Sequence, residues 1–185
     1  MSEHDRREDA AAPVPAPHLT ELEPRELSQD ELRQTLGRFV TGVTIVTCLD
    51  AAGERVGLTA NSFNALSLDP PLVLWSLRQA SASIAAFSQA SHFAVNVLCE
   101  DQAELSRRFA RSSQAKFDAG VWSAGHGGAP VLAGCVAVFE CRRQSHQVAG
   151  DHVLFIGEVQ RIAGSAAMPL VYHAGHYRQL VAPQQ

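Results

Sequence analysis

The sequence predicts a mainly β domain whose strands pair antiparallel and form a small closed or partly split barrel, with two or three peripheral helices. About seven strand-like apolar runs outnumber the helical segments. Most neighbouring runs are joined by short turns, which permit antiparallel but not parallel pairing. Strands and helices do not alternate regularly, and this disfavours a doubly wound sheet. A small barrel with Greek-key-like connections fits the pattern best.

The composition indicates an ordinary globular domain. A chain of 185 residues can bury a substantial core, and 46% hydrophobic against 18% charged residues is typical of a folded protein. The formal net charge of −4 offers no basic face to a nucleic acid. No apolar run reaches the roughly 18 residues that a membrane-spanning helix needs. We therefore expect neither a nucleic-acid partner nor a membrane.

The cysteines predict a reducing compartment. They lie far apart in apolar, strand-like neighbourhoods and form no C-x-x-C motif; they are Cys48, Cys99, Cys135 and Cys141. Thiols in such surroundings are typically buried and reduced, as in cytoplasmic proteins. We therefore expect the protein to be cytoplasmic.

The first 27 residues are expected to form a disordered tail ahead of a single domain at 28–182. Proline, alanine and charged residues dominate the tail, which lacks the basic start and apolar core of a signal peptide. Ser28 and Glu31 then match a capping box. Apolar residues at helical spacing predict a helix of about three turns, closed by Gly42; they are Leu32, Leu36, Phe39 and Val40.

Strand-like runs rich in β-branched residues follow this helix. The first two form a predicted hairpin, at 43–49 and 55–59. Further strands are predicted at 72–77, 92–98, 135–148 and 152–162, with short extended pieces at 169–173 and 176–181. Two more helices are predicted, at 80–90 and 101–110. Residues 111–130 predict a long loop, which in a compact domain is usually functional or mobile.

The chain is organised around the polar stretch 57–71, which places hydroxyl and amide side chains between two apolar strands. Such groups need hydrogen-bonding partners if they are buried. One interpretation is a bend in which Ser and Asn side chains bond their own backbone. The other is a binding site, for which a flavin is the ligand that we favour.

Several familiar motifs are missing from the sequence. It contains no G-x-G-x-x-G, no P-loop and no G-x-S-x-G, so a nucleotide cofactor would have to bind outside a Rossmann domain. His173 and His176 could form half of a zinc site, but further ligands at workable spacing are missing, so we expect no metal. Asp151 and His152 lie at a tight turn, where they are either simple turn residues or an imidazole oriented by a carboxylate.

Taken in order, the motifs resemble the short-chain flavin reductase family, the reductase components of two-component flavin-dependent monooxygenases. The matching segments are 41–47 (TGVTIVT), 57–63 (GLTANSF), 67–73 (SLDPPLV), 93–98 (FAVNVL), 150–152 (GDH), 157–159 (GEV) and 169–173 (PLVYH). The resemblance covers about residues 32 to 180. It implies an FMN-binding split barrel, usually a homodimer, that uses FMN or FAD with NADH or NADPH as co-substrate.

The resemblance also implies which residues form the site. The residues expected to contact the isoalloxazine edge and the ribityl chain of the flavin are Thr59, Ala60, Asn61, Ser62 and Ser67. The residues expected to contact the ribityl phosphate are Ser76, Ser81 and Ser83. Phe109 and Lys116 are expected to be the aromatic and the basic residue that flank the flavin. Asp151 and His152 match the family's Gly-Asp-His turn, which is associated with nicotinamide placement. No catalytic acid or base is assigned, because hydride transfer between stacked rings asks mainly for positioning.

The implied function is an NAD(P)H:flavin oxidoreductase that supplies reduced flavin to a separate oxygenase. One alternative is a split-barrel enzyme that holds FMN tightly and acts on its own substrate. Another is a flavin-binding module without catalytic activity.

Overall fold

The computed structural model describes residues 28–113 and 115–181, so the predicted tail at 1–27 lies outside the described residues. The α-helices are α1 (Gln29–Leu36), α2 (Ile84–Gln89) and α3 (Ala103–Ala110). The first six strands are β1 (Thr41–Gly42), β2 (Thr44–Leu49), β3 (Arg55–Ala60), β4 (Asn64–Leu68), β5 (Pro71–Arg78) and β6 (His92–Val97). The other strands are β7 (Trp122–Ala124), β8 (Pro130–Leu132), β9 (Ala137–Ala149), β10 (His152–Gly164), β11 (Val171–His173) and β12 (His176–Arg178).

One seven-stranded sheet dominates the described residues, with the strand order β3-β2-β6-β9-β10-β5-β4. Every paired strand in it is antiparallel, which confirms the predicted class. The two long strands β9 and β10 form its centre through the predicted hairpin. Within the part of the chain that the structure describes, the hydrogen-bonded ladder is open at β3 and β4. Two small sheets accompany it, β1-β11-β12 and β7-β8.

An aromatic cluster around Trp75 forms the centre of the core. Trp75 is fully buried on β5 and stacks on Phe155 of β10, with ring centroids 4.7 Å apart. Phe87 of α2 and Phe93 of β6 pack edge-on against the same indole, at 4.8 and 6.0 Å. Burial along β5 alternates with the period of a strand, so Ser76 and Arg78 project from the face opposite Trp75.

The first helix is shorter than predicted. Its capping box at Ser28 and Glu31 is confirmed, but it ends at Leu36 with Gly37 as C-cap. Gly42, which we predicted as the cap, instead pairs with Val171 in β1. Residues 41 and 42 therefore pair with the distant strand β11 where the local periodicity predicted the end of a helix.

Two segments that were predicted to be irregular contain strands. The polar stretch after β3 includes the edge strand β4, which pairs with β5. The predicted loop at 111–130 contains β7 and the start of β8, which pair with each other. Neither segment has the alternating apolar pattern that a sequence-based prediction requires, since both form small or edge ladders.

We expect Gly157→Ala to lower the free energy of unfolding by about 1–3 kcal/mol, because the core has no room for a methyl group there. An added Cβ would overlap the Phe93 ring and lie 2.9 Å from Cys141 Cβ. Gly164→Ala in the same strand is the matched control, since the nearest atom to its Cβ would be 3.8 Å away. Urea unfolding of the two variants measures the difference, and equal stabilities would contradict the packing described here.

Candidate functional site

A cavity of about 970 Å³ opens where β3 and β5 end, beside the C-terminal end of α3. Its volume lies at the upper end of the range for small-molecule sites, about 300–1,000 Å³. The residues that line it are Leu58, Thr59, Ala60, Asn61, Ser62, Ser76, Leu77, Arg78, Ala80, Ser81, Ala82, Ser83, Phe109, Ala110, Arg111, Ser112, Ser113, Lys116 and His152. The cavity therefore has a lining of mixed polar and apolar character and is large enough for a nucleotide-sized ligand.

Ser62 joins the two strands that form the floor of the cavity. Its hydroxyl donates to Ser76 O and accepts from Ser76 N, both at 3.0 Å. The ladder between β4 and β5 begins only at Asn64 and Leu74. On this side of β5 the backbone of Ser76 therefore has a side chain in place of a neighbouring strand. The Ser62 hydroxyl is hydrogen-bonded to the protein backbone. The Asn61 side chain, in contrast, is exposed and makes no hydrogen bond among the described residues.

The α3 wall is held against β3 by a chain of hydrogen bonds. Thr59 Oγ1 donates to Ser106 O at 2.6 Å, and the buried Ser106 hydroxyl bonds the Tyr177 hydroxyl at 2.8 Å. Phe109 is buried beside Gly57, where an added Cβ would lie 2.7 Å from its Cε1 atom. Glycine at position 57 thus allows the aromatic ring to reach the edge of the cavity.

Lys116 is fixed by backbone carbonyl groups. Its ammonium donates to Gly57 O at 3.0 Å and to Phe109 O at 3.1 Å. Partial burial lowers the pKa of this ammonium from its ordinary value. Lys116 therefore ties the loop after α3 to β3 and adds positive charge to the cavity lining.

The turn between β9 and β10 orients His152 at the rim of the cavity. The Asp151 carboxylate bonds His152 Nδ1 at 2.7 Å, which leaves Nε2 for other partners. His152 lowers the pKa of the Asp151 carboxyl, first through this hydrogen bond and second through the electrostatic effect of its imidazole. Gln79 steadies the turn, since its backbone N–H donates to Asp151 O and its side chain to Gly150 O.

The cavity lining is cationic although the whole chain carries a formal charge of −4. Arg78, Arg111 and Lys116 contribute positive charge, and no Asp or Glu is among the lining residues of the described chain. Arg78 lies directly opposite His152 in the ladder between β5 and β10. Such a lining favours an anionic ligand.

Ten of the twelve predicted site residues line this one cavity; they are Thr59, Ala60, Asn61, Ser62, Ser76, Ser81, Ser83, Phe109, Lys116 and His152. Ser67 does not, because it lies on the edge strand β4 beyond the Ser62 link. Asp151 does not line it either, and it contacts the site only through His152. Their contacts with a ligand remain predictions.

The sequence-based prediction overlooked the two arginines and the serines at 112 and 113. Arg78 could have been found from its place at the end of a strand two residues after Ser76. Arg111 directly follows the helix that carries Phe109, so the break in helical periodicity marked its position. Neither position belongs to a motif of the family resemblance.

The rest of the described chain offers weaker candidates. A second cavity of about 220 Å³ is lined by Asp50, Ser91, His92 and neighbouring residues. His173 and His176 face each other across the β11–β12 hairpin, and His176 Nδ1 bonds Ala174 O. Within residues 28–113 and 115–181, no group of three or more His, Cys, Asp or Glu could hold a metal ion. In the same ranges, no helix is long and apolar enough to cross a membrane.

We expect Ser62→Ala to lower the free energy of unfolding by about 1–2 kcal/mol, because the Ser76 backbone N–H and C=O lose their shared partner. Ser67→Ala is the matched control, since the Ser67 hydroxyl makes no hydrogen bond among the described residues. This substitution should lower the free energy of unfolding by less than about 0.5 kcal/mol. Urea titration followed by circular dichroism measures both. Equal losses would show that the link between β3 and β5 has no special role.

Comparison with known proteins supports a common ancestry with flavin reductases. The family described as "Flavin reductase like domain" matches residues 36–181. The FMN reductase (NADH) SmoA of Agrobacterium fabrum is 48% identical over 145 residues, which cover 78% of this chain and 82% of that protein. The reductase component of the flavin-dependent trigonelline monooxygenase of Acinetobacter baylyi is 41% identical over 147 residues. That match covers 80% of this chain and 47% of the relative, so this chain spans about half the relative's length.

Solved structures agree with the sequence comparison. The NADH:FAD oxidoreductase SgcE6 of Streptomyces globisporus, in complex with NAD and FAD fragments, superposes with a TM-score of 0.81 at 35% identity. The superposition covers 88% of this chain and 98% of that structure. Because the family match extends over most of the domain, the chain belongs to the family of flavin reductase like domains.

Proposed function

We propose that this protein is an NAD(P)H:flavin oxidoreductase that passes a hydride from reduced nicotinamide to FMN or FAD. The observation that carries the proposal is a cavity whose charged lining residues, in the described part of the chain, are cationic, in a member of the flavin reductase family. Flavin mononucleotide and dinucleotide both combine an apolar ring system with a negatively charged phosphate. The lining offers apolar groups beside hydroxyls and arginines, so the residues present fit such a ligand.

The floor of the cavity suits the flavin ring system. Asn61 presents an exposed amide that makes no hydrogen bond among the described residues and can both donate to and accept from the polar edge of the ring. Backbone groups of Thr59 and Ala60 lie beside it, while the hydroxyls of Thr59 and Ser62 are engaged with Ser106 and Ser76. We assign Asn61 and the local backbone to direct contact, and assign Thr59 and Ser62 to holding this wall in place.

The remaining predicted contacts follow from their positions. Ser81 and Ser83 lie in the loop after β5, beside Ser76 and Arg78, where a ribityl phosphate would meet hydroxyls and a guanidinium. His152, held by Asp151, would place the nicotinamide at the rim. A bound flavin supplies the redox chemistry, and the chain itself positions the rings and provides positive charge near the reduced, anionic form.

The product of this reaction suggests a partner protein. The relative from Acinetobacter baylyi is the reductase component of a monooxygenase. Reduced flavin made by this chain would pass in the same way to a separate oxygenase in the cytoplasm. The buried state of all four cysteines is compatible with a reducing compartment.

We further propose that residues 28–182 form one split-barrel domain and that two copies associate. The Ser62–Ser76 link brings the end of β3 against β5, which would curl the open sheet toward a barrel. The apolar face of α1 and the residues after it is exposed and would be covered by a second copy; this face is formed by Leu32, Leu36, Phe39 and Val40.

We expect purified protein to oxidise NADH or NADPH when FMN or FAD is added, because the cavity can hold both nucleotides. Steady-state absorbance at 340 nm across the four nicotinamide–flavin pairs measures the activity. Protein heated to unfold it is the control for non-enzymatic hydride transfer. Lack of turnover with all four pairs would refute the proposed function, whereas a flavin that survives gel filtration and resists NAD(P)H would indicate an enzyme with its own substrate.

A further inference from the structure

Tyr177 on β12 contacts the helix that forms one wall of the cavity, although it does not line the cavity itself. Its hydroxyl lies 2.8 Å from the hydroxyl of Ser106, in the middle of α3. The Arg107 guanidinium lies over the Tyr177 ring, 5.1 Å from its centroid. Two consecutive residues of α3 thus contact the same tyrosine of the β11–β12 hairpin.

The hairpin that carries Tyr177 belongs to a separate sheet from the one that carries the cavity floor. β12 pairs with β11 and β11 pairs with β1, so Tyr177 lies opposite Tyr172, and Tyr172 lies opposite Thr41. The rings of the two tyrosines pack edge-on, with their centroids 5.7 Å apart. Tyr177 is therefore held in place by its own small sheet, from which it reaches α3.

The Ser106 hydroxyl depends on Tyr177 for its hydrogen bond. Ser106 is fully buried, and its hydroxyl makes no other hydrogen bond among the described residues. A buried hydroxyl that loses its partner costs free energy. In a helix, a serine can instead bond the carbonyl oxygen four residues earlier, here that of Gln102, and such a back-bond often bends the helix. The Tyr177 hydroxyl thus gives Ser106 a partner outside α3.

The position of Ser106 affects two parts of the cavity wall. Thr59, which lines the cavity, donates to the backbone carbonyl oxygen of Ser106 at 2.6 Å. Phe109, which also lines the cavity, lies about one turn further along α3. A bend of α3 at Ser106 would therefore displace both Thr59 and Phe109.

We propose that Tyr177 is a positioning residue for flavin binding, which acts through Ser106 on the part of the cavity wall formed by Thr59 and Phe109. The inference rests on the flavin reductase function proposed above. It predicts that removal of the tyrosine hydroxyl alone weakens flavin binding. Removal of both hydroxyls should restore binding, because no buried hydroxyl is then left without a partner.

The test measures FMN binding to the full chain by fluorescence titration, for Tyr177→Phe, Ser106→Ala and the double variant. We expect Tyr177→Phe to raise the FMN Kd about fivefold, which corresponds to one lost hydrogen bond. Ser106→Ala should stay within about twofold of wild type, because the backbone carbonyl that accepts from Thr59 remains. The double variant should also bind FMN within about twofold of wild type.

NADH oxidation provides a second readout. Tyr177→Phe should raise the FMN KM by a similar factor and keep kcat within about twofold, because the hydroxyl lies outside the cavity and contributes to binding rather than to hydride transfer. The matched control is Tyr172→Phe in the same hairpin, since the Tyr172 hydroxyl makes no hydrogen bond among the described residues. This variant should keep the FMN Kd within about twofold.

The inference is overturned if Tyr177→Phe binds FMN as tightly as wild type, if Tyr172→Phe weakens binding equally, or if the double variant binds no better than Tyr177→Phe. Circular dichroism shows whether each variant folds. Should Tyr177→Phe not fold, the double variant decides, since it must fold and bind FMN for the inference to stand. Wild-type protein that binds no flavin and oxidises no NADH would instead refute the underlying function.

Discussion

The hydrogen bonds between the Ser62 hydroxyl and the backbone of Ser76 are the contact on which the site depends. They join the end of β3 to β5, although these strands lie near opposite ends of the sheet's pairing order. The backbone groups at a strand edge normally form hydrogen bonds with another strand or with water. Here a single hydroxyl forms hydrogen bonds with both the N–H and the C=O of one residue. Ser62 and Ser76 line the cavity together with Asn61 and Arg78, so this link forms part of the cavity wall.

Electrostatics then decides what such a cavity can hold. Among the described residues, the lining includes two arginines and a lysine and contains no Asp or Glu, although the chain has a net negative charge. The Lys116 ammonium donates hydrogen bonds to two backbone carbonyl oxygens, so its role is mainly structural. The arginines remain exposed beside serine hydroxyls, and this favours phosphate-bearing ligands. Hydride transfer asks the site to stack a nicotinamide ring on a flavin ring, and the nucleotides that carry these rings also carry phosphate.

Most of the sheet and most of the candidate site could be predicted from the sequence. The strands that carry the core have strong apolar patterns, and the polar stretch lies among motifs that resemble those of the family in the same order. Predictions were wrong where tertiary pairing overrides a local pattern, as at Gly42, which belongs to a strand rather than a helix cap. Ser67 was grouped with its neighbours along the chain; it lies on the edge strand β4 and does not line the cavity, so its contact with a flavin stays a prediction. Arg78 and Arg111 were overlooked because neither belongs to a motif, and only the fold brings them to one cavity.

The most direct test of the central claim is a crystal structure of the protein soaked with FMN. The account predicts electron density for the isoalloxazine ring beside Asn61 and the Thr59–Ala60 backbone, with the phosphate near Arg78 and Ser81. Flavin density in the smaller cavity beside Ser91 and His92, or at another surface, would contradict the assignment of the site.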